Sequence, residues 1–242
     1  MRVQVCFWLC VGCALYAYLF YPLIMALAAR IRPRPIRGTG PRPKSFSIIL
    51  AAYNEEAHID RRIRELLELI ATSDAEGELI VVSDGSTDRT PAIARRAGAD
   101  RIRVIEIPSN VGKASALNKA CAAVHNEIII FADARQCWAS DALRRLLDNY
   151  ADPAVGAVSG DLVLKADSDA LAGVGFYWRY EKWLRNQESR FHSIVGVTGA
   201  ISSLRRKLYC PIPRGTVLDD VYWPLRVALQ GYRVVHESRA HA

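Results

Sequence analysis

The stretch Phe46-Ser-Ile-Ile-Leu-Ala51, followed at once by Ala52-Tyr53-Asn54-Glu55, decides the fold of this chain. Its first six residues form a short apolar run, which is typical of a buried strand. After the polar turn, apolar residues recur at helical spacing from Ile59 to Ile70. The stretch therefore predicts a strand, a polar turn and a helix in direct succession.

The same alternation of strand and helix continues further along the chain. Further strands are predicted at 79–83, 101–107 and 128–132, and further helices from Pro91, over 113–124 and from Ser140 to Tyr150. Because parallel strands need crossover connections, this order predicts the α/β class, with a mostly parallel sheet flanked by helices. In such sheets ligands bind at the carboxyl ends of the strands.

Acidic residues follow three of the predicted strands: Glu55, Asp84 and Asp133. A dinucleotide-binding domain would instead have a glycine-rich turn after its first strand, and the sequence has no glycine between Gly40 and Gly77. Converging carboxylates suit a ribonucleotide bound with a divalent cation. Asp and Asn also form ordinary turns, which explains any one of these positions, but three successive strand ends favour a site.

The N-terminal segment predicts a membrane anchor over residues 1–30. From Val5 to Ala29 there are 25 residues without a charge, which is long enough for a helix to cross a bilayer. A cleaved signal peptide is the alternative, because Ala26-Leu-Ala28 resembles a cleavage site. The apolar stretch is much longer than a signal peptide needs, which favours an uncleaved anchor.

The positive charge of the chain is concentrated near this anchor. Residues 1–44 contain seven basic and no acidic side chains, whereas residues 45–242 contain 25 of each, so the net charge of +7 belongs to the N-terminal part. A neutral body argues against a nucleic-acid partner. Six of the basic residues follow the apolar stretch, which predicts a cytoplasmic body at the inner or plasma membrane. Residues 31–44, rich in proline and arginine, predict an extended stem.

Three segments of the body together resemble glycosyltransferase family 2. These are Ser47–Glu56, Val81–Asp88 and Asn110-Val-Gly-Lys-Ala-Ser-Ala-Leu-Asn118. The resemblance implies an inverting enzyme with a GT-A fold, a nucleotide-sugar donor and a donor half at residues 45–138. The donor-binding residues that it implies are Ala52, Tyr53, Asn54, Glu55, Asp84, Asn110, Lys113 and Asp133.

The sequence departs from the family pattern after the fourth strand. Families of this type carry Asp-x-Asp there, whereas this chain has Asp133-Ala134-Arg135. The resemblance implies that Asp133 binds Mg²⁺ or Mn²⁺. Arg135 cannot bind a metal. Two alternatives remain open for Arg135: it points away from the site, or it shares the neutralisation of the donor phosphates with the metal.

The acceptor half is predicted at residues 139–242. Residues 176–185 form a predicted helix with Phe176, Tyr177, Tyr180 and Trp183 on or near one face, and Trp178 and Trp183 are predicted to lie on the acceptor side. That face suits a protein core or a membrane interface beside the acceptor equally well. The small residues of Gly196-Val-Thr-Gly199-Ala200 resemble the family's acceptor-side loop, where absence of bulk lets a sugar approach the backbone.

Leu218-Asp219-Asp220-Val221 resembles the Glu-Asp motif of the family. The resemblance implies that Asp220 is the catalytic base, with Asp219 beside it at the Glu position. Inverting transfer needs a base opposite the leaving diphosphate, and a like-charged neighbour would raise the proton affinity of that base. Either aspartate could also cap a helix starting near Val221, and the two roles are compatible.

Together these patterns predict a membrane-anchored glycosyltransferase that uses a uridine diphosphate sugar and a lipid-linked or growing saccharide acceptor. A glycolipid synthase that adds one sugar is an alternative within the class. A nucleotide-sugar-binding protein without activity is an alternative from another class, because family members of this type usually continue past the base motif into further elements. The chain given ends at Ala242, so we expect a C-terminally truncated acceptor half.

Overall fold

The computed structural model describes residues 2–98, 101–163 and 172–242 of the 242-residue chain. Within helix 172–191 it describes no side chains for residues 172–174 and 176. The chain divides into two compact units. One consists of Met1–Pro35 and Ala166–Ile194, and the other of Ile36–Lys165 and Val195–Ala242.

The larger unit is built on a seven-stranded sheet with the order β3-β2-β1-β4-β6-β5-β7. Neighbouring strands are parallel except for β6, which runs antiparallel to both β4 and β5. The strands are β1 (Ser45–Ala52), β2 (Glu76–Asp84), β3 (Ile102–Ile107), β4 (Ile128–Asp133), β5 (Val155–Asp161), β6 (Ile201–Arg205) and β7 (Arg233–His241). The prediction of a mostly parallel α/β sheet is confirmed.

Among the residues of this unit that the structure describes, five α-helices flank the sheet. They are α3 (Ile59–Ala71), α4 (Thr90–Gly98), α5 (Lys113–Ala122), α6 (Ala142–Asp148) and α8 (Asp219–Leu229). The apolar stripe of α3, which includes Ile59, Ile63 and Leu66, is fully buried in the hydrophobic core, where α3 contacts β2 and α4. Burying that stripe and the strand residues beneath it supplies the main favourable free energy of the fold.

Several helices start or stop at other residues than the sequence predicts: α4 begins at Thr90 rather than Pro91, and α5 ends at Ala122 rather than Val124. Helix α6 ends at Asp148 rather than Tyr150, because the side-chain amide of Asn149 donates to the carbonyl oxygen of Arg145 at 2.7 Å and competes with the next helical hydrogen bond. Helix α8 begins at Asp219, with Leu218 as its N-cap residue. Asp219 and Asp220 therefore lie in its first turn instead of preceding it.

The register of β1 positions the carboxyl ends of the sheet. Ala51 lies opposite Asp133 of β4, and Ala52 lies opposite Ser83 of β2. The turns that follow β1, β2 and β4 consequently meet at one edge, as parallel pairing requires.

In the part of the smaller unit that the structure describes, the secondary structure is helical. Residues Arg2–Ile31 form one continuous helix that comprises α1 (Arg2–Leu15), a π-helical turn (Tyr16–Phe20) and α2 (Tyr21–Ile31). It is long and apolar enough to cross a membrane. It packs against α7 (Ala172–Phe191), and the Tyr21 hydroxyl donates to Oε1 of Glu188 at 2.6 Å.

The segment between the apolar helix and β1 contains no helix or strand, in keeping with its proline content. Its second half belongs to the larger unit and is hydrogen-bonded within it. The N–H of Arg37 donates to Oδ2 of Asp152 at 2.9 Å, and the N–H of Gly40 donates to the carbonyl oxygen of Ala151 at 2.7 Å.

Candidate active site

Asp133 ends β4 at the carboxyl edge of the sheet and is half-buried. Nζ of Lys113, the first residue of α5, lies 3.4 Å from its Oδ1. The antiparallel register between Ala132 and Ile201 brings the residues before β6 alongside the same strand end. The cationic and anionic groups that the sequence predicts near the donor phosphates are thus adjacent.

Gly199 lies against this pair. A Cβ atom at Gly199 would lie 3.3 Å from Nζ of Lys113 and 3.6 Å from Oδ2 of Asp133. Any side chain at this position would therefore crowd the Lys113–Asp133 contact. The predicted small-residue loop lies directly beside the strand end where the metal ligand was predicted.

The first turn of α8 brings two further carboxylates to the same place. Asp219 and Asp220 occupy that turn, where the helix dipole favours negative charge. Trp223, which is 2% exposed, holds the helix on the sheet by packing on Phe131 of β4 with ring centroids 5.5 Å apart. The position of α8 therefore depends on the strand that carries Asp133.

Pro224 explains how α8 binds the loop that carries Gly199. Proline has no N–H, so it cannot donate to the carbonyl oxygen of Asp220, four residues earlier. That oxygen instead accepts the N–H of Val197 at 2.9 Å. The carbonyl oxygen that lacks a donor within the helix therefore binds the 196–200 loop.

These elements enclose a small pocket. Its lining residues are Ala51, Lys113, Leu117, Phe131, Ala132, Asp133, Gly199, Ser202, Asp219, Asp220 and Trp223. Burial raises the pKa of Asp219 above its usual value; Lys113 partly offsets this, and the charges of Asp220 and Asp133 add to it. Three carboxylates facing one ammonium leave the pocket with excess negative charge, which suits a cationic ligand.

Asp84 ends β2, and both its carboxylate oxygens bind backbone. Oδ1 accepts the N–H of Val111 and Oδ2 that of Gly112, each at 2.9 Å. Gly112 has a φ of +87°, which favours glycine, and directly precedes α5. Nδ2 of Asn110 donates to the carbonyl oxygen of Asp84 at 3.3 Å. Asp84 therefore fixes the start of the helix that carries Lys113.

The turn after β1 places the remaining predicted donor residues. Ala52 is buried, whereas Tyr53 is 49% exposed at the edge of the sheet. Asn54 adopts a left-handed φ of 54°, and its Oδ1 accepts the N–H of Thr87 at 2.8 Å. The N–H of Glu55 donates to Oγ1 of Thr90 at 2.8 Å. The β1 and β2 turns are therefore bound to each other.

Arg135 does not take the place of a metal ligand. Its Nε donates to Oε1 of Glu55 at 2.8 Å, which joins the turn after β4 to the turn after β1. Arg135 itself remains well exposed, while the Glu55 side chain is largely buried. The guanidinium is therefore fixed at one end and still accessible to a ligand.

Arg62 is a site-supporting residue that sequence reasoning missed. Its side chain is fully buried, its Nε donates to the carbonyl oxygen of Asp133 at 3.1 Å, and its Nη1 binds Oε1 of Glu65 at 2.7 Å. The guanidinium lies 4.8 Å from the ring centroid of Trp138, whose Nε1 donates to the carbonyl oxygen of Ala200 at 3.0 Å. Its position three residues after Ile59, inside the apolar stripe of α3, is the signal that could have identified it.

Trp178 and Trp183, the predicted acceptor-side aromatics, belong to α7 of the other unit. Trp183 is 41% exposed, and Trp178 is half-buried. Tyr180 lies near Trp183 on this helix, and its hydroxyl donates to the carbonyl oxygen of Tyr18 at 2.9 Å. The side chain of Phe176 lies outside the described residues. The acceptor role of both tryptophans remains a prediction.

The pocket residues fit a cation bound together with a diphosphate. In the part of the chain that the structure describes, no three His, Cys, Asp or Glu residues form a complete metal-binding group. Mg²⁺ commonly uses one or two carboxylates and takes its other ligands from phosphates and water. Asp133, with neighbouring carboxylates and an accessible side chain, meets that requirement.

Comparison with known proteins agrees with this fold. The model of the family described as "Glycosyl transferase family 2" matches residues 47–210. An N-acetylglucosaminyltransferase of Sinorhizobium fredii (strain NBRC 101917 / NGR234) is 32% identical over 181 residues, covering 71% of this chain and 43% of the relative. A β-monoglucosyldiacylglycerol synthase of Synechocystis sp. (strain ATCC 27184 / PCC 6803 / Kazusa) is 33% identical over 171 residues, covering 69% of this chain and 34% of the relative.

Among solved structures, a mannosyltransferase from Pyrobaculum calidifontis in complex with GDP-Man and Mn²⁺ is similar to this chain. It superimposes with a TM-score of 0.76 at 27% identity, covering 93% of this chain and 65% of that chain. The fold is accordingly a GT-A-like α/β fold. The chain belongs to glycosyl transferase family 2, and it spans less than half the length of the curated relatives given above.

Proposed function

We propose that this chain provides the catalytic domain of an inverting glycosyltransferase that moves a sugar from a nucleotide-sugar donor to a saccharide or lipid-linked acceptor. The observation that carries the proposal is the pocket in which Asp133, Lys113, Asp219 and Asp220 face one another at the carboxyl edge of the sheet. Family membership and the named transferase relatives support the same reaction class.

In the proposed reaction, Asp220 takes the proton of the acceptor hydroxyl while the acceptor oxygen attacks the anomeric carbon of the donor sugar. The bond between that carbon and the diphosphate oxygen breaks, and the nucleoside diphosphate leaves with the electron pair. Configuration at the anomeric carbon inverts because attack and departure occur on opposite faces. Asp220 later releases its proton to water, which restores the base.

Lys113 and Arg135 supply fixed positive charge for the leaving group. Lys113 is held by Asp133 at the start of α5, and Arg135 by Glu55 beside β1. Arg135 stands where the family has the second Asp of Asp-x-Asp. Because it is accessible, it acts as a second positive charge for the donor phosphates. Asp84 accepts hydrogen bonds from the base or the ribose of the donor. Its carboxylate oxygens can do so because each has already accepted only one backbone N–H.

A divalent cation, Mg²⁺ or Mn²⁺, is the proposed cofactor, with Asp133 as its protein ligand. When bound, it stabilises the negative charge that develops on the leaving diphosphate. The structurally similar mannosyltransferase was solved with Mn²⁺, which supports this choice. We propose a uridine diphosphate sugar as donor, and the N-acetylglucosaminyltransferase and β-monoglucosyldiacylglycerol synthase relatives favour N-acetylglucosamine or glucose as its sugar.

The acceptor is proposed to be lipid-linked or a growing saccharide. The β-monoglucosyldiacylglycerol synthase relative favours, as a second candidate, a glycolipid synthase that adds one sugar. Both candidates need an enzyme at a membrane, and the apolar helix Arg2–Ile31 provides an anchor. We propose that the basic residues after this helix keep the domain on the cytoplasmic side, where nucleotide sugars are available.

Donor binding tests the site assignment. Calorimetry with UDP and Mn²⁺ is run on the parent chain, on Asp133→Ala and on Asp84→Ala, with Asp74→Ala as a control at the opposite end of the sheet. The two site variants are expected to weaken binding of UDP by at least about tenfold. Asp133→Ala loses the proposed metal ligand, and Asp84→Ala loses the carboxylate that binds the backbone before α5. Unchanged affinity in both would remove the assignment, and a panel containing UDP-GlcNAc, UDP-Glc and GDP-Man identifies the donor.

A further inference from the structure

Asn118 lies on α5, the helix that begins with Lys113, and its side-chain amide binds a segment far away in sequence. Nδ2 donates to the carbonyl oxygen of Ile212 at 2.7 Å, and Oδ1 accepts the N–H of Ile212 at 2.8 Å. One side chain therefore satisfies both main-chain groups of a residue that is only 2% exposed. Tyr209 strengthens the contact, because its hydroxyl donates to the same Oδ1 at 2.6 Å.

Ile212 precedes the exposed segment that leads into α8. From Pro213 to Leu218 the chain forms no helix or strand, and Val217 is 88% exposed. A turn closes this segment, with the N–H and Oγ1 of Thr216 on the carbonyl oxygen of Pro213 at 3.2 and 2.8 Å. Asp219 follows immediately. The anchor at Ile212 thus limits how far the start of α8 can move.

The start and the middle of α5 are consequently bound to parts of the site. At its start, Asp84 binds Val111 and Gly112, and Lys113 reaches Asp133. One turn and a half further on, Asn118 binds the segment leading to Asp219. A single helix therefore connects the donor side of the pocket to the side that carries the base.

We propose that Asn118 is a positioning residue for sugar transfer. By holding Ile212 against α5, it fixes the distance between the Asp219–Asp220 turn and the Lys113–Asp133 pair. It does not touch the reacting atoms. The proposal rests on the proposed function, since it takes Asp220 as the base, and it predicts that loss of the amide lowers turnover without lowering donor affinity.

Asn126 provides a matched control. Its Nδ2 also binds main chain, donating to the carbonyl oxygen of Phe46 at 2.9 Å, but it does so where β1 begins, at the amino end of the sheet. Asn118→Ala and Asn126→Ala each remove a side-chain amide that binds a buried backbone group. Both substitutions are expected to lower the melting temperature to a similar extent. A difference in turnover between them therefore reflects where the amide lies relative to the active site and not a difference in protein stability.

The experiment measures three quantities on the parent chain and both variants. They are the turnover of UDP-GlcNAc, the dissociation constant for UDP with Mn²⁺, and amide hydrogen exchange over residues 209–220. Asn118→Ala should lower turnover at least about tenfold, because small misplacements of a catalytic group are costly. Its UDP dissociation constant should stay within about twofold, and exchange over 209–220 should accelerate.

Two results would overturn the proposal. One is an Asn118→Ala variant whose turnover and exchange match those of the parent chain; the other is an equal fall in turnover in Asn126→Ala. Tyr209→Phe, which retains both bonds to Ile212, should show a smaller loss than Asn118→Ala. Hydrogen exchange does not depend on the identity of the base, so failure of the Asp220 assignment remains distinguishable from failure of the Asn118 anchor.

Discussion

The backbone N–H of Val197 donates to the carbonyl oxygen of Asp220 at 2.9 Å, and this bond exists because Pro224 has no N–H to offer that carbonyl. A proline inside a helix normally costs free energy. Here it leaves an acceptor that binds the loop carrying Gly199. The proposed base and the proposed acceptor loop are thus joined through main chain.

Pro224→Ala tests this relationship. Alanine supplies an N–H that competes with Val197 for the Asp220 carbonyl oxygen, so α8 should gain stability while the 196–200 loop loses a bond. We expect an unchanged or higher free energy of unfolding, faster amide exchange at Val197 and turnover reduced by about three- to tenfold. Parent-like turnover together with parent-like exchange at Val197 would contradict the role assigned to this proline.

Gly199→Ala tests the close approach beside the Lys113–Asp133 pair. The new Cβ would lie 3.3 Å from Nζ of Lys113, so the ammonium must shift by a few tenths of an ångström. Because Nζ is the end of a flexible side chain, stability should change by less than about 1 kcal/mol. UDP binding measured by calorimetry should weaken by about three- to tenfold. Gly175→Ala, with open space around its Cβ position, serves as the control.

The raised pKa of Asp219 predicts how stability depends on pH. Because burial raises the pKa of Asp219 in the folded state above its value in the unfolded chain, the folded chain binds more protons than the unfolded chain between the two pKa values. This residue therefore destabilises the fold progressively as pH rises through that window, and the effect persists above it. Asp219→Asn should increase the free energy of unfolding at pH 7, and the gain should vanish below the unfolded pKa. Urea unfolding at pH 3.5 and pH 7 measures it, and a gain of equal size at both would be inconsistent with this explanation.

Arg62→Ala tests the buried support under Asp133. The substitution removes the bonds to the Asp133 carbonyl oxygen and to Glu65 and leaves a cavity beneath Trp138. We expect a loss of about 2–4 kcal/mol in the free energy of unfolding by urea titration. The neighbouring Arg61 is exposed, so Arg61→Ala should change stability by less than about 0.5 kcal/mol. Similar losses of unfolding free energy in the two variants would show that the buried contacts of Arg62 do not stabilise the fold.

Maleimide labelling tests the proposed membrane orientation. Cys137 is exposed on the larger unit, whereas Cys6, Cys10 and Cys13 lie within the apolar helix. If the domain is cytoplasmic, a membrane-impermeant maleimide should label Cys137 in inside-out vesicles and leave it unlabelled in right-side-out vesicles. Cys137→Ser identifies the signal that belongs to this residue, and the opposite pattern would reverse the orientation.

The α/β order and the strand-end acids could be predicted from the sequence because they depend on local patterns. Apolar runs specify β1, β2 and β4, and parallel pairing then brings Asp84 and Asp133 to one edge. Arg62 could not be assigned a role in this way, because its burial depends on Trp138 and Glu65 meeting it from a different part of the fold. Tertiary contacts of this kind have no periodic signature.

The hydrogen-bond partners of Asn118 and of the Asp220 carbonyl oxygen could not be predicted for the same reason. Asn118 binds a residue 94 positions away, and the Val197–Asp220 bond joins α8 to a loop that the antiparallel pairing of β6 with β4 places. The motif that contains Asn118 could be recognised, but not what its amide binds. Residues that position a site are therefore harder to predict than residues that line it.

Turnover and donor binding in Asp220→Asn test most directly whether Asp220 is the catalytic base. Asparagine keeps the size of the side chain and cannot accept the proton of the acceptor hydroxyl at neutral pH. With the donor identified in the nucleotide-sugar panel, turnover should fall by at least about a hundredfold, while the dissociation constant for UDP with Mn²⁺ stays within about twofold of the parent value. Parent-like turnover in Asp220→Asn would contradict the assignment of this residue as the base.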